Sequence, residues 1–185
     1  MIDIINEGIV FKVSDDHKVQ TELFDDIGVL VVDNFYKNPD LVRKLIDDIP
    51  ATTHTNRGGY PAAAINVSYN MQPVVETYRH YIQTYFPNCL SDDYITSIMS
   101  QASFMVNVMQ SDGNEYLPPH TDCPSTTNLA SGIFLNTPEN CSGGTSFFKD
   151  NKYLGYVKMK YNRMILYHQN VPVSYTHLTL PTIGE

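Results

Sequence analysis

The sequence predicts an α+β fold that is mainly β: a double-stranded β-helix, or jelly roll, with N-terminal helices packed on the sheet. Three observations predict it. From Ser100 onward the segments SFMVNVMQ, LASGIFLN, GGTSFFKD, YLGYVKMK and NRMILYH are short apolar runs parted by turn formers, the rhythm of a sandwich or barrel. The 13 Tyr and 8 Phe favour a pleated, half-buried surface. Two earlier stretches repeat their apolar residues with helical spacing.

Taken in order, Ile2 to Val13 reads as a strand pair around Gly8. Ile27 to Asp33 (IGVLVVD) is a continuous apolar run and predicts a buried strand. Asn38-Pro39-Asp40 opens a helix over Leu41 to Ile49, where Leu41, Val42, Leu45, Ile46 and Ile49 share one face and Pro50 stops it. Thr52 to Ala64 reads as a loop, on its turn formers Gly58-Gly59 and Pro61. A second helix is expected over Pro73 to Phe86, with Val74, Val75, Tyr78, Tyr81, Ile82 and Tyr85 on helical spacing. There is no internal repeat, and a single domain over residues 1–172 is expected.

Charge and cysteine usage narrow the function. The net charge is −8, from 20 acidic and 12 basic residues. A nucleic-acid binder needs a basic face to neutralise phosphates, so nucleic acid is not an expected partner. Cys89, Cys123 and Cys141 stand alone, without the spacing of a zinc knuckle or a disulfide framework. Reduced thiols in a cytoplasmic protein are expected. The opening MIDIINEGIVFKVSDD has no basic stretch followed by an apolar run, and no window is apolar enough to span a bilayer, so neither a signal peptide nor a membrane partner is expected.

The chemistry concentrates in Asn114 to Pro124, NEYLPPHTDCP. His120 and Asp122 are two apart. In an extended strand such residues point to the same side, roughly 6.6 Å apart. An imidazole and a carboxylate there can converge on one ion, and they are ligand types of the facial triad that holds non-haem Fe(II) with open positions. Alone, His-x-Asp equally describes a surface contact. Three segments follow it: LASGIFLN, CSGGTSFF from Cys141, and NRMILY from Asn162.

In this order the segments resemble the prolyl-hydroxylase-like branch of the iron(II)/2-oxoglutarate-dependent dioxygenases. Val31 to Arg43 (VVDNFYKNPDLVR) resembles the opening signature of a small group within that branch. The resemblance runs from Val29 to about Pro172. It implies Fe(II) held by His120 and Asp122, and 2-oxoglutarate as co-substrate. It implies hydroxylation of a C–H bond in a small-molecule or peptidyl substrate. It also implies that Gly143-Gly144 turns into the strand facing the site, and that Asn162-Arg163 leads into the strand before the third ligand. On the residues alone, Gly143-Gly144 reads as a hairpin turn and Arg163 as a salt-bridged or snorkelling side chain.

The sequence departs from this pattern at two places. The resemblance calls for a third ligand, His, at position 173, where the chain has Val173. It also calls for a basic residue further on to meet the far carboxylate of 2-oxoglutarate, and no Lys or Arg follows Arg163. Val173 to Thr182 (VSYTHLTLPT) resembles a translated sequencing adapter. Residues 173–185 are therefore expected to be an artefactual tail outside the fold, replacing natural sequence that carries the His. His177 shares the side of position 173 but lies roughly 13 Å along the strand. His168 has the opposite parity. Both read as bystanders rather than metal ligands, so this chain is expected to be catalytically dead or nearly so.

Other readings stay open. A metal-free cupin-like or virion jelly-roll module would use His120 and Asp122 as a hydrogen-bonded pair. A zinc site would be hydrolytic or structural. Cys123 as a nucleophile with His120 is disfavoured, because residues three apart in extended chain point to opposite sides. His54 and Arg57 read as a solvated loop rather than the lining of a substrate entrance, Tyr116 as core rather than a substrate or co-substrate contact, and His17 and His80 as ordinary surface or helix residues.

Overall fold

An apolar strand buried on both faces needs partners along both edges, and Ile27–Asp33 has them. In the computed structural model, which describes residues 10–48, 54–57, 60–65, 72–90, 93, 104–107, 119–121, 128–141 and 143–176, this run is β2, with Val29, Leu30, Val31 and Val32 buried. On one edge β1 (Lys18–Phe24) pairs antiparallel, from Phe24 opposite Ile27 to Lys18 opposite Asp33. Asp25-Asp26 makes the turn, and Asp25 takes a left-handed φ of 58°, which short polar side chains tolerate. On the other edge β2 pairs with β9 (Arg163–His168), which pairs in turn with β6 (Leu129–Phe134), giving the order β1-β2-β9-β6.

A second sheet, in the order β10-β7-β8, is built from β7 (Gly144–Lys149), β8 (Lys152–Lys158) and β10 (Val173–Thr176). The hairpin turn between β7 and β8 is Asp150-Asn151, with φ of 50° and 61°. Positive φ at both positions is what a two-residue hairpin matched to strand twist requires. Gly143-Gly144 is therefore not a hairpin turn: β6 and β7 lie in different sheets, and the glycines lead into β7. Gly143 has φ 89°, and a Cβ on Gly144 would run into the Val157 carbonyl oxygen and lie 3.0 Å from the Met159 nitrogen.

The faces of these two sheets share one apolar cluster. Val29, Val31, Ile165 and Tyr167 come from the first sheet, Phe147, Val157 and Val173 from the second, and Val171 precedes β10. Phe24 stacks on Phe147 at 5.2 Å between centroids, and Tyr167 meets Phe147 edge-on at 5.3 Å. Gly155 opposes Phe147, and a Cβ there would fall 2.6 Å from the Phe24 ring. Each fully buried side chain of this size contributes about 1.5–3 kcal/mol.

Residues 16–35 and 114–185 form one compact unit, and everything above belongs to it. The other unit comprises residues 1–15 and 36–113. It holds α1 (Pro39–Asp48), α2 (Gln72–Tyr85) and a sheet of β3 (His54–Arg57), β4 (Tyr60–Ile65) and β5 (Phe104–Asn107) in that order. α1 begins two residues before the expected start because Pro39 suits the first helical turn, where its missing N–H is not needed. In α2, Val74, Val75, Tyr81 and Ile82 are buried while Tyr85 is exposed. Phe11 packs against Tyr36, and Val13 bridges to Tyr36 through the backbone.

Two expectations are corrected. The stretch read as a loop over Thr52 to Ala64 contains the β3–β4 hairpin, with Arg57 opposite Tyr60. Gly58-Gly59 is a two-residue hairpin signature, but the His, Thr, Asn and Ala around it give no apolar alternation. Val173–Thr176, set outside the fold on its sequence, is the strand β10, paired from Val173 opposite Phe147 to Thr176 opposite Gly144. Most of the expected strand pair over Ile2 to Val13 lies outside the described residues. No helix among the described residues is long and apolar enough to cross a membrane.

Gly144→Ala should lower stability by about 2–3 kcal/mol, because both atoms met by the added methyl are backbone and cannot rotate away. Urea unfolding measures it. A loss below about 0.5 kcal/mol would show that β7 and β8 do not approach this closely.

Candidate functional site

His120 is held by backbone. Its N–H donates to the Val173 carbonyl at 2.9 Å, and the Val173 N–H donates to the His120 carbonyl at 2.8 Å. This exchange is an isolated antiparallel bridge on the free edge of β10. Residues directly opposite in an antiparallel pair send their side chains to the same face. Val173 is fully buried in the cluster between the sheets. The half-buried His120 imidazole thus leaves its segment on the core-facing side. His120, Val173, Phe147 and Gly155 form one row across the strands.

The next row holds Tyr175, Thr145 and Val157 by backbone register. Thr145 has the parity of Phe147 and opposes the core residue Val157, so its side chain points between the sheets. It is fully buried, and its hydroxyl has no hydrogen-bond partner. The other buried hydroxyls of the unit, on Ser146 and Ser174, are not left unsatisfied in this way. Thr145 did not stand out in the sequence, where a threonine in a strand is commonplace. Its shared parity with Phe147 was the one available signal.

The remaining expected site residues fall as follows. Asp122, His177, Cys123 and Tyr116 lie outside the described residues. His168 ends β9 on the face opposite Ile165 and Tyr167. His54 and Arg57 sit on β3. The Cys141 thiol donates to the Asn136 carbonyl at 3.2 Å, and burial pushes its pKa up, as it does that of Cys89. Raised thiol pKa values leave little thiolate at neutral pH, and thiolate is the reactive form.

Among the described residues the donors do not make up an iron site. Position 173 offers an aliphatic side chain beside His120 where a third donor would be required. Among the described residues no group of three His, Cys, Asp or Glu side chains could hold a metal ion.

A separate polar cluster closes the Arg163 end of the same unit. Arg163 shares the core-facing parity of Ile165 and Tyr167. Its Nε donates to Asp33 Oδ1 at 2.7 Å, its Nη2 to Asp33 Oδ2 at 3.1 Å and its Nη1 to the Lys158 carbonyl at 2.9 Å. Lys160 adds a bond to Asp33 Oδ2 at 2.8 Å. Arg163 hydrogen-bonding, with Lys160 in support, holds the Asp33 carboxyl below its ordinary value of 3.8 despite its partial burial. Asn162, at φ 59°, donates its N–H to the Phe134 carbonyl and accepts from the Phe35 N–H, turning the chain into β9. Of the two roles open to Arg163, the structure gives it the salt bridge.

Comparison with known proteins gives one finding: the model of a family of unknown function (DUF6445) matches residues 16–154. That span includes His120 and Asp122 and ends within β8. No curated protein and no solved structure matches the chain.

The Asp33 cluster sets a stability prediction. Asp33→Asn leaves the Arg163 guanidinium, on a side chain only 13% exposed, without its counter-charge. It should cost about 2–3 kcal/mol at pH 7. The carboxyl is depressed in the folded state, so its contribution is complete above 3.8 and fades as pH falls through the lower folded value. Urea titrations of wild type and D33N should therefore converge in strong acid. A gap that is constant with pH would refute an ionic origin.

Proposed function

The chain belongs to the DUF6445 family, and we propose that it carries the jelly-roll scaffold of an iron(II)/2-oxoglutarate-dependent oxygenase with an incomplete metal site. The observation that carries this reading is the register of His120. The resemblance puts one ligand at His120 and a third at position 173, and these two positions are hydrogen-bonded neighbours on one face. Two ligands of one ion need that adjacency, although they lie more than fifty residues apart in the chain.

The strand order supports the same reading. The His120 segment, β10, β7 and β8 lie side by side, while β6 and β9 lie in the facing sheet. The chain thus crosses between the two sheets from β6 to β7, from β8 to β9 and from β9 to β10, as in a jelly roll. Asp122 is two residues beyond His120, on the same side if the chain stays extended. Under this reading the natural residue at 173 is His, and the adapter-like residues 173–185 stand in its place. With Fe(II) and 2-oxoglutarate bound, such a site supplies oxidative hydroxylation. This chain's residues supply only the geometry and a water-poor, apolar setting around His120. The substrate class is a small molecule or a peptidyl side chain.

One observation favours the rival reading, a metal-free cupin-like or virion binding module: Val173 is well packed as a core residue, with no exposed surface.

Val173→His separates them. If the oxygenase reading is right, the variant binds Co(II), used as a spectroscopic stand-in for Fe(II), at least about 100-fold more tightly than wild type, a gain of roughly 2.7 kcal/mol. Adding Asp122→Ala abolishes that gain. Equal binding by V173H and wild type would sink the reading. Tight zinc retention by the unaltered chain would instead favour a zinc site.

The unaltered chain, supplied with Fe(II) and 2-oxoglutarate, should release no succinate above the protein-free background. Sustained iron-dependent release would show that the site is complete without a donor at 173.

A further inference from the structure

We infer that the open edge of β8 docks an extended acidic segment of a partner protein, which adds to the sheet as a further strand. β8 (Lys152–Lys158) ends the order β10-β7-β8, so among the described residues only one of its edges is paired. The hydrogen bonding shows which residues face the other side. Met159 donates its N–H to the Gly143 carbonyl at 2.8 Å. Bonded and non-bonded pairs alternate along an antiparallel ladder, so Tyr156, opposite Ser146, turns its N–H and C=O away from β7. Phe148 gives its N–H to the Pro172 carbonyl at 3.0 Å, on the β10 side, so Tyr153 opposite it also turns outward.

The same two residues carry exposed rings, 55% for Tyr153 and 37% for Tyr156. Both lie on the face of Phe148, away from the core between the sheets, and Phe148 meets the Tyr153 ring edge-on at 5.8 Å. Arg163 bonds the Lys158 carbonyl and closes the far end of the edge. The open stretch from Lys152 to Val157 is about 17 Å long at the usual strand rise, the length of a peptide of about five or six residues.

Charge names the occupant. Residues 149–160 carry Lys149, Lys152, Lys158 and Lys160 against Asp150 alone, a local charge of +3 in a chain of −8. Lys149 is committed to Asp25 and Asp26, and Lys160 to Asp33. Lys152 and Lys158 flank the tyrosines, are exposed, and have no ion pair among the described residues. On the outer face, lysine and tyrosine hydroxyls suit carboxylates. On the inner face, Val157 and the half-buried Phe24 ring beside Gly155 suit apolar side chains. Strand side chains alternate between faces, so the occupant is acidic and apolar by turns. A second copy of this chain fits less well. Pairing Tyr153 with Tyr156 of that copy would set Lys158 beside that copy's Lys152, and like charges across a ladder oppose pairing. β1, the free edge of the facing sheet, carries both signs in Lys18 and Glu22 and has no such bias. In strand addition of this kind, main-chain bonds supply affinity and the side-chain pattern supplies choice of partner. The surface is independent of position 173 and of the metal reading.

The test uses the whole chain and fluorescein-labelled Glu-Val-Glu-Val-Glu-Val, read by fluorescence anisotropy. Wild type should bind it with a Kd below roughly 1 mM at low salt, and less tightly as salt rises. Lys152→Glu combined with Lys158→Glu should weaken binding about tenfold or more. Both lysines are exposed, so the melting temperature should stay within about 2 °C of wild type. Two further peptides, N-methylated at alternate residues in opposite phase, keep the charge. The one whose methyl groups face β8 loses its donors and should bind about tenfold less tightly, while the other binds as the parent does. Equal binding of the two methylated peptides would mean charge attraction without strand pairing, and would overturn the inference. So would unchanged binding by K152E/K158E, or no binding by wild type up to about 5 mM peptide. A wild-type dimer in sedimentation that Tyr156→Pro dissolves would assign the edge to a second copy and overturn it as well. That substitution removes only an outward N–H and leaves the ladder to β7 intact.

Discussion

Two backbone hydrogen bonds between His120 and Val173 decide which side chains can act together in this protein. They fix the His120 segment to the edge of β10, and β10 in turn fixes it to β7. Because side chains alternate along a strand, a slip of one residue in this pairing would turn His120 from the core-facing side to the other. The same register puts Thr145 one row away from Val173 on the same face. The glycines at 144 and 155 serve this arrangement. Gly144 lets β7 come close to β8, and Gly155 leaves room for the Phe24 ring that covers Phe147.

A ladder of this kind is indifferent to most side chains, since every residue but proline brings the same donor and acceptor. That is why VSYT can complete a sheet whatever its origin. A metal site has no such tolerance: it needs particular donor atoms at particular positions. Valine at 173 keeps the ladder and adds buried apolar surface worth about 1.5–3 kcal/mol, and it brings no donor atom in its side chain. Fold and chemistry thus come apart at one position. The change favours stability there, in line with the general tension between a packed core and a polar site.

What the sequence made legible follows the same division. β2, β6, β7, β8 and β9 were readable because each carries an apolar run bounded by turn formers, and both helices because their apolar spacing and the prolines at their starts agree. β1 was not read: Lys18–Phe24 is an edge strand with one face toward solvent, and even Leu23 on it is 70% exposed. β3 and β4 lack an apolar alternation, and β10 carries a sequence that argues for exclusion. The importance of position 173 was legible only through the spacing that the resemblance implies, and the pairing with His120 is a long-range fact that no local pattern encodes. The salt-bridge role of Arg163 was one of the readings open, but its partner Asp33 is far away in sequence and depends on β2 lying beside β9.

The polar groups turned toward the core of this unit differ in one respect that separates structure from function. Arg163 has each of its guanidinium nitrogens committed, two to the Asp33 carboxylate and one to the Lys158 carbonyl. Asp33 is shared further with Lys160. A guanidinium so occupied would have to surrender a charge-assisted bond to take any other carboxylate, at a cost of about 1.5–3 kcal/mol, so Arg163 serves the fold. Thr145 has nothing to surrender. The partly buried Asp33–Arg163 pair ties β2 to β9 and closes one end of the unit, whereas the unsatisfied Thr145 hydroxyl on the neighbouring sheet adds no internal bond. The two differ in bonding state more than in charge: Arg163 is fully committed within the fold, and the Thr145 hydroxyl is not.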